Sequence, residues 1–110
     1  MSSPDQPIAV FITAPNNEEA SRLVDMLVER KLAACVQVLP AVDSVYRWQG
    51  KIERQAELLL IAKTLASKFA ELEREVRALH SYETPEIVAV PLSAVSEKYL
   101  QWLTASVMTD

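Results

Sequence analysis

Residues 32–64, LAACVQVLPAVDSVYRWQGKIERQAELLLIAKT, decide the fold of this chain. Two runs rich in strand-forming residues, 32–49 and 51–64, flank Gly50, which is the only glycine in the sequence. A glycine at the junction of two such runs predicts a tight turn between paired strands. Pro40 has no N–H to donate to a strand ladder, so it predicts a bulge or bend in the first run. The stretch therefore predicts one long central β-hairpin with its tip beside Gly50.

Shorter elements on both sides of the hairpin have the periodicities of single helices and strands. In chain order they are a strand at 7–13, a helix at 20–28 capped by Asn16 or Asn17, a helix at 65–79 capped by Thr64 or Ser67, a buried strand at 86–91 and a terminal helix at 96–107. The resulting βαββαβ order predicts an α+β ferredoxin-like sandwich with an extra C-terminal helix. We expect residues 1–7 to be a flexible lead and residues 8–110 to form a single domain, since this length is common for one domain.

Composition excludes several classes of function. The net charge of −4 leaves no basic surface for a phosphate backbone, so we expect no nucleic-acid partner. The apolar run at 58–62 is too short to cross a membrane, and residues 1–7 do not resemble a signal peptide. The single cysteine cannot form an internal disulfide, so we expect a cytoplasmic protein with no membrane partner.

Conventional enzyme chemistry also has little support in the sequence. One glycine is too few for a phosphate-binding loop of the P-loop or dinucleotide-binding type. The one histidine, His80, has no nucleophile at a recognised motif spacing. We therefore expect no enzyme activity and no obligatory cofactor.

The length of the hairpin predicts an oligomer. An arm of about 14 residues extends about 45 Å at roughly 3.3 Å per residue, whereas a compact domain of this length is near ~34 Å across. The hairpin should project from its own domain, with the polar part at 53–57 exposed. Apolar residues on a projecting ribbon need a partner, so we predict self-association with Tyr46, Trp48 and Ile52 at the interface. The alternative is a hairpin that curls at Pro40 and buries these residues within the chain.

Candidate metal ligands lie in two places. His80 follows the second predicted helix, where it can ligate a metal, act as a base or complement the helix dipole. Glu83 and Glu86 are near it in sequence and offer carboxylate oxygens. Cys35 is a soft ligand if His80 is close, and otherwise a buried structural cysteine. Metal sites usually need three or four ligands, so the remaining ones would come through the fold or from a neighbouring subunit.

Six stretches of the sequence, taken together, resemble the CutA family of divalent-cation tolerance proteins. They are FITAP at 11–15, KLAACV at 31–36, SVYRWQGK at 44–51, LIAKT at 60–64, HSYETPE at 80–86 and YLQWL at 99–103. The resemblance implies a ferredoxin-like fold and a homotrimer in which long strands of neighbouring subunits pair, similar in architecture to PII signalling proteins. It also implies a protein that takes part in tolerance to divalent metal ions and binds copper or another divalent cation.

The copper ligands of the family carry over only in part. In enterobacterial members, copper ligation is attributed to a cysteine in the first-strand motif and to a pair of histidines. Ile12, Leu79 and His80 stand at those three positions here, so one ligand of three remains. A second hypothesis follows from the PII resemblance. It is a signalling protein that binds a small anionic metabolite in inter-subunit clefts, with Lys63 supplying charge and Tyr82 or Trp102 a stacking surface.

Overall fold

The computed structural model describes residues 5–108. Its elements are β1 (Pro7–Ala14), α1 (Asn17–Glu29), β2 (Cys35–Trp48), β3 (Lys51–Leu65), α2 (Phe69–Leu79), β4 (Ile87–Pro91) and α3 (Glu97–Val107). The strands form one antiparallel sheet in the order β2-β3-β1-β4. The predicted α+β class, the βαββαβ order and the extra C-terminal helix are confirmed. Within the described residues, no helix is long and apolar enough to span a bilayer.

The β2–β3 hairpin has the predicted tip and the predicted irregularity. Gln49 and Gly50 both have positive φ angles, 50° and 78°, as a two-residue type I′ hairpin turn requires. The strand register shifts once, between Leu39 and Val42, which confirms a bulge at Pro40. The domain measures 48 × 25 × 22 Å, so the hairpin projects rather than curling back. Self-association, which was inferred from this projection, stays a prediction.

Alternation along the strands divides the sheet into two faces. One face packs against α1 and α2, and its buried residues include Val10, Ile12, Leu58 and Leu60 from the strands, and Leu23, Leu27, Leu72 and Val76 from the helices. The other face, here called the open face, carries Thr13 of β1 together with Gln55, Glu57 and Leu59 of β3. Helix α3 covers its far end, where Leu103 and Val107 pack on Leu65.

Helix α1 has defined caps at both ends. The side chain of Asn16 accepts a 2.8 Å hydrogen bond from the N–H of Glu19, which confirms the predicted N-cap. At the other end, Lys31 has a positive φ of 58°, and the N–H of Leu32 donates to the carbonyl of Leu27 at 2.9 Å. These bonds fix the direction in which the chain enters β2.

The predicted cap of the second helix is wrong. Strand β3 continues through Leu65, and a short 3₁₀ turn, Ala66–Lys68, comes before α2, so neither Thr64 nor Ser67 caps the helix. The carboxylate of Asp5 accepts the backbone N–H of Ser67 at 3.0 Å and also pairs with its hydroxyl. Part of the predicted flexible lead is therefore bonded to the domain, while residues 1–4 lie outside the described residues.

The predicted burial of the last strand is also wrong. All residues of β4 except Ile87 are exposed, among them Val88 at 52% and Val90 at 39%. The physical reason is the strand order, which puts β4 at an edge of the sheet with a partner on one side. Apolar runs occur both in buried central strands and in edge strands that pack against another chain. The run alone therefore does not show which kind of strand it forms.

Candidate functional site

A cavity of about 550 Å³ lies between the outer half of the hairpin and the loop that joins α2 to β4. Its lining comes from both hairpin strands, that loop and the end of β1: Thr13, Ser44, Val45, Tyr46, Trp48, Gln55, Glu57, Tyr82, Glu83, Thr84 and Glu86. The volume falls within the range of small-molecule sites. Two of the stretches that carried the family resemblance, 44–51 and 80–86, thus meet at one place in the fold.

A chain of hydrogen bonds crosses the floor of the cavity. The hydroxyl of Tyr82 donates to Glu57 Oε2 at 2.6 Å and accepts from Gln55 Nε2 at 2.9 Å. The hydroxyl of Tyr46 donates to Gln55 Oε1 at 2.9 Å. Glu57 is only 6% exposed, so the prediction that all of 53–57 is exposed is wrong at this residue. The loop that carries Tyr82 covers it.

The electrostatic character of the cavity is negative. Among residues 5–108, three glutamates line it and no lysine, arginine or histidine does. Partial desolvation and the charge of Glu57 raise the pKa of Glu86, although that residue is still exposed to solvent. Burial, the hydrogen bond to Glu57 and the charge of Glu57 raise the pKa of Tyr82, so its hydroxyl stays a neutral donor at neutral pH. The site therefore favours a cation over an anion.

His80 lies beside the cavity as part of its support. Its Nε2 is 2.7 Å from the carbonyl oxygen of Thr13, and because a carbonyl only accepts, this nitrogen carries the proton. Its Nδ1 accepts the N–H of Tyr82 at 3.1 Å. The imidazole is buried and its ring centroid is 4.7 Å from that of Tyr82. Both ring nitrogens are engaged within the chain, so His80 positions Tyr82.

A buried carboxylate completes this support. Glu19 Oε2 lies 3.2 Å from His80 Nδ1 and accepts the N–H of Ser81 at 3.0 Å. Burial alone would raise the pKa of Glu19, but the hydrogen bonds from Ser81, the charge of Arg22 and the charge that His80 carries when it is protonated outweigh it and lower that pKa. The start of α1 is thereby tied to the loop after α2.

The four predicted metal ligands do not meet in one chain. Glu83 and Glu86 line the cavity, His80 lies beside it with both nitrogens engaged, and Cys35 is at the other end of the hairpin. There the thiol of Cys35 is 3.4 Å from the hydroxyl of Tyr99. Across residues 5–108, no three or more His, Cys, Asp or Glu side chains are grouped to hold a metal ion. Metal binding stays a prediction that needs ligands from a second chain.

The three residues predicted for an anion cleft are also divided. Lys63 Nζ donates to Gln37 Oε1 at 2.9 Å and is 5.8 Å from the ring centroid of Tyr99. The Tyr99 ring packs against that of Trp102, with 5.4 Å between centroids and 50° between the ring planes. Lys63 and Trp102 therefore flank one aromatic ring, whereas Tyr82 belongs to the cavity.

The predicted interface residues lie on opposite faces of the hairpin. Tyr46 pairs with Glu53 and Trp48 pairs with Lys51, whereas Ile52 pairs with Arg47. Directly opposed residues share a face and neighbours alternate, so Tyr46 and Trp48 are on the open face and Ile52 is on the other. All three side chains are exposed in the single chain.

Sequence reasoning missed three polar residues of this region: Glu19, Gln55 and Glu57. Glu57 is two residues from Leu59, so both side chains lie on the same face of β3, and Leu59 pairs with Thr13. This alternation was a signal that Glu57 belongs to the open face. Its burial, however, depends on a loop that is distant in sequence. Glu19 resembled an ordinary acidic residue in the first turn of a helix.

Known proteins resemble this chain over nearly its whole length. The sequence profile of the CutA1 divalent ion tolerance protein family matches residues 8–106. The chain is 47% identical over 94 residues to the divalent-cation tolerance protein CutA of Thermus thermophilus. The aligned region covers 86% of this chain and 91% of that protein. It is 44% identical over 99 residues to the chloroplastic protein CutA of Arabidopsis thaliana. The aligned region covers 90% of this chain but only 54% of that longer protein.

Solved structures agree with the sequence comparison. The crystal structure of CutA1 from Oryza sativa matches with a TM-score of 0.92 at 41% identity, covering 99% of this chain and all of that one. The chain therefore belongs to the CutA1 divalent ion tolerance family.

Proposed function

We propose that this protein acts in tolerance to divalent cations, as a homotrimer that binds such cations weakly and is not an enzyme. The observation that carries the proposal is the family match across residues 8–106. The Thermus thermophilus relative, which the chain covers almost completely, is named a divalent-cation tolerance protein. A cytoplasmic location is part of the proposal, although relatives have names that include chloroplastic and periplasmic.

The charge of the cavity supports cation binding over the anion-sensing alternative. Glu83 and Glu86, two of the predicted ligands, line the cavity together with the buried Glu57. Carboxylate oxygens suit hard divalent ions, and copper would bind them less tightly than nitrogen or sulfur ligands. Because no complete ligand group exists within residues 5–108, we expect low affinity or ligands shared between subunits. A small anion would face three carboxylates at this place.

Exposed edges and exposed apolar residues support the homotrimer. Strands β2 and β4 form the two edges of the sheet, and each has one side without a strand partner among the described residues. Long open edges favour pairing with another chain. Trp48 at 42% and Ile52 at 62% exposure add apolar area on both faces of the projecting hairpin.

Light scattering and calorimetry test the two parts of this proposal separately. Size-exclusion chromatography with light scattering should give three times the 12.3 kDa chain mass, and a monomer at micromolar concentration would contradict the trimer. Titration with copper(II) should give weak binding that falls in the Glu86→Gln variant and is retained in Glu53→Gln. Glu53 is a matched control because it is an exposed glutamate of β3 that does not line the cavity. Equal isotherms for both variants would remove the cavity from the metal account.

A further inference from the structure

We propose that the outer face of one protomer's hairpin docks into a groove beside strand β4 of the next protomer. The outer face is the side of the hairpin opposite the open face, and near the tip it carries Arg47, Ile52 and Arg54. The inference rests on the homotrimer of the proposed function and adds the surface through which the copies touch. In this contact Ile52 is the apolar anchor, and Arg47 pairs with Glu83 of the partner subunit.

The outer face combines a large apolar side chain with positive charge. Arg47 is directly opposite Ile52, and Arg54 is two residues from Ile52 on the same strand, so the three side chains share a face. Asp43 shares this face but lies farther from the tip. All three of the first residues are exposed, Ile52 at 62%, and neither arginine forms an ion pair within residues 5–108. Such a surface favours a partner that offers an apolar recess and carboxylates.

The groove beside β4 has the complementary character. It encloses about 420 Å³ between α2 and the segment that leads into β4, and it has apolar walls and charged side chains: Phe69, Pro85, Ile87, Glu73, Arg77 and Glu83. Arg77 Nη1 lies 3.4 Å from Glu73 Oε2 and offsets its charge. Glu83 has no basic partner among residues 5–108. The groove therefore offers an apolar recess with one carboxylate in excess.

Strand pairing between copies would bring the two surfaces together. Strands β2 and β4 are the two edges of the sheet, and the part of β2 beyond its bulge, 42–48, is longer than the five residues of β4. An open edge can accept a strand of another chain along this length. Strands that pair in this way form one continuous sheet, so side chains on the helix side of one copy continue on the helix side of the next.

The groove and the outer face are both on that helix side. Ile87 packs on the core that α1 and α2 cover, and the outer face is by definition opposite the open face. A chain cannot fill its own groove in this way, because β3 and β1 separate β2 from β4 and the hairpin projects away from the domain. A contact from one edge to the opposite edge of the next copy is head to tail, and such contacts close into rings.

Charge reversal in the full-length protein tests the pairing. Arg47→Glu and Glu83→Arg each place like charges at every contact, and a ring of three contains the contact three times. Each variant should therefore raise the protein concentration at which the trimer is half dissociated by at least about tenfold. Size-exclusion chromatography with light scattering over a dilution series measures this midpoint, in a urea concentration that brings the wild-type value into the micromolar range. The double variant restores opposite charges and should recover most of the loss.

Two further variants separate the contact from general effects. Ile52→Ser removes the apolar anchor and should raise the midpoint by a similar factor. Arg74→Glu reverses the charge of an exposed arginine of α2 that does not line the groove, so it should leave the midpoint unchanged. Because Arg47, Ile52 and Glu83 are exposed in the single chain, the far-UV circular dichroism of the dissociated variants should match that of dissociated wild type.

The outcomes distinguish this contact from the homotrimer itself. A trimer that is insensitive to Arg47→Glu, Ile52→Ser and Glu83→Arg would overturn the inference and leave the homotrimer standing. A double variant no more stable than the single ones, or an equal loss in Arg74→Glu, would also overturn it. A monomeric wild type would overturn both proposals.

Discussion

Replacing Tyr82 by phenylalanine removes a single oxygen atom from the floor of the cavity. That atom donates the 2.6 Å hydrogen bond to Glu57 and accepts the 2.9 Å bond from Gln55. Glu57 is buried, so the variant leaves its carboxylate without the only donor it has among residues 5–108. Hydrogen bonds to charged groups contribute about 1.5–3 kcal/mol, and the stranded amide of Gln55 adds to the loss. We expect Tyr82→Phe to lower the free energy of unfolding by about 2–3 kcal/mol.

Tyr46 provides a matched control in the same network. Its hydroxyl donates to the neutral side chain of Gln55, and the residue is 40% exposed. Water can replace this bond, so Tyr46→Phe should cost less than about 1 kcal/mol. Equilibrium urea unfolding at several protein concentrations measures both variants and separates folding from assembly. If the two variants lose the same stability, Glu57 is solvated and the buried network is not as described.

A double variant identifies the source of the loss. If the cost of Tyr82→Phe comes from a stranded charge, Glu57→Gln in the same chain should recover part of it, because an amide tolerates burial better than an unpaired carboxylate. The recovery should appear as a coupling energy of about 1 kcal/mol or more in the double-mutant cycle. Additive losses would point to packing instead.

Three further substitutions test other parts of the fold, each by urea unfolding. The pKa of Glu19 is lowered in the folded state, so its contribution to the free energy of unfolding is present above the ordinary glutamate pKa and is lost as pH falls through the folded value. Glu19→Gln should therefore flatten the decline of stability below about pH 5. An unchanged decline would contradict this role. Thr64 is fully buried, and its hydroxyl has no partner among residues 5–108, so Thr64→Val should stabilise by about 1 kcal/mol while Thr64→Ser destabilises. Lys31 has a φ of 58°, so Lys31→Gly should stabilise by about 0.5–1 kcal/mol, and a similar gain in Lys31→Ala would show that backbone strain is not the cause.

The hairpin was predictable because its signals are local. A turn glycine, two strand-forming runs and one proline lie within a single stretch, and the length of the arms follows from the rise per residue alone. The 48 Å long axis is close to the length predicted for an arm. The burial of β4 was not predictable in the same way, because it depends on strand order and on whatever covers the sheet edge.

The cavity was predictable only in fragments. The sequence singled out Glu83, Glu86 and Tyr82 as candidates but gave Glu57 no role, although Glu57 is the residue to which Tyr82 donates. That contact joins two residues 25 positions apart, and no spacing rule covers it. His80 was singled out for its chemistry, yet the fold uses both of its nitrogens to hold the loop against β1. A lone histidine is weak evidence for a metal site until its partners are known.

The two faces of the hairpin contribute differently to the expected assembly. Tyr46 and Trp48 face the cavity, and the hydroxyl of Tyr46 is already bonded within the chain. Ile52 points to the opposite side and is 62% exposed. A projecting ribbon with such residues is marginal in water, so this outer face has the stronger need for a second copy. Trp48, which is 42% exposed on the open face, adds to that need, so we expect assembly to involve both faces of the hairpin.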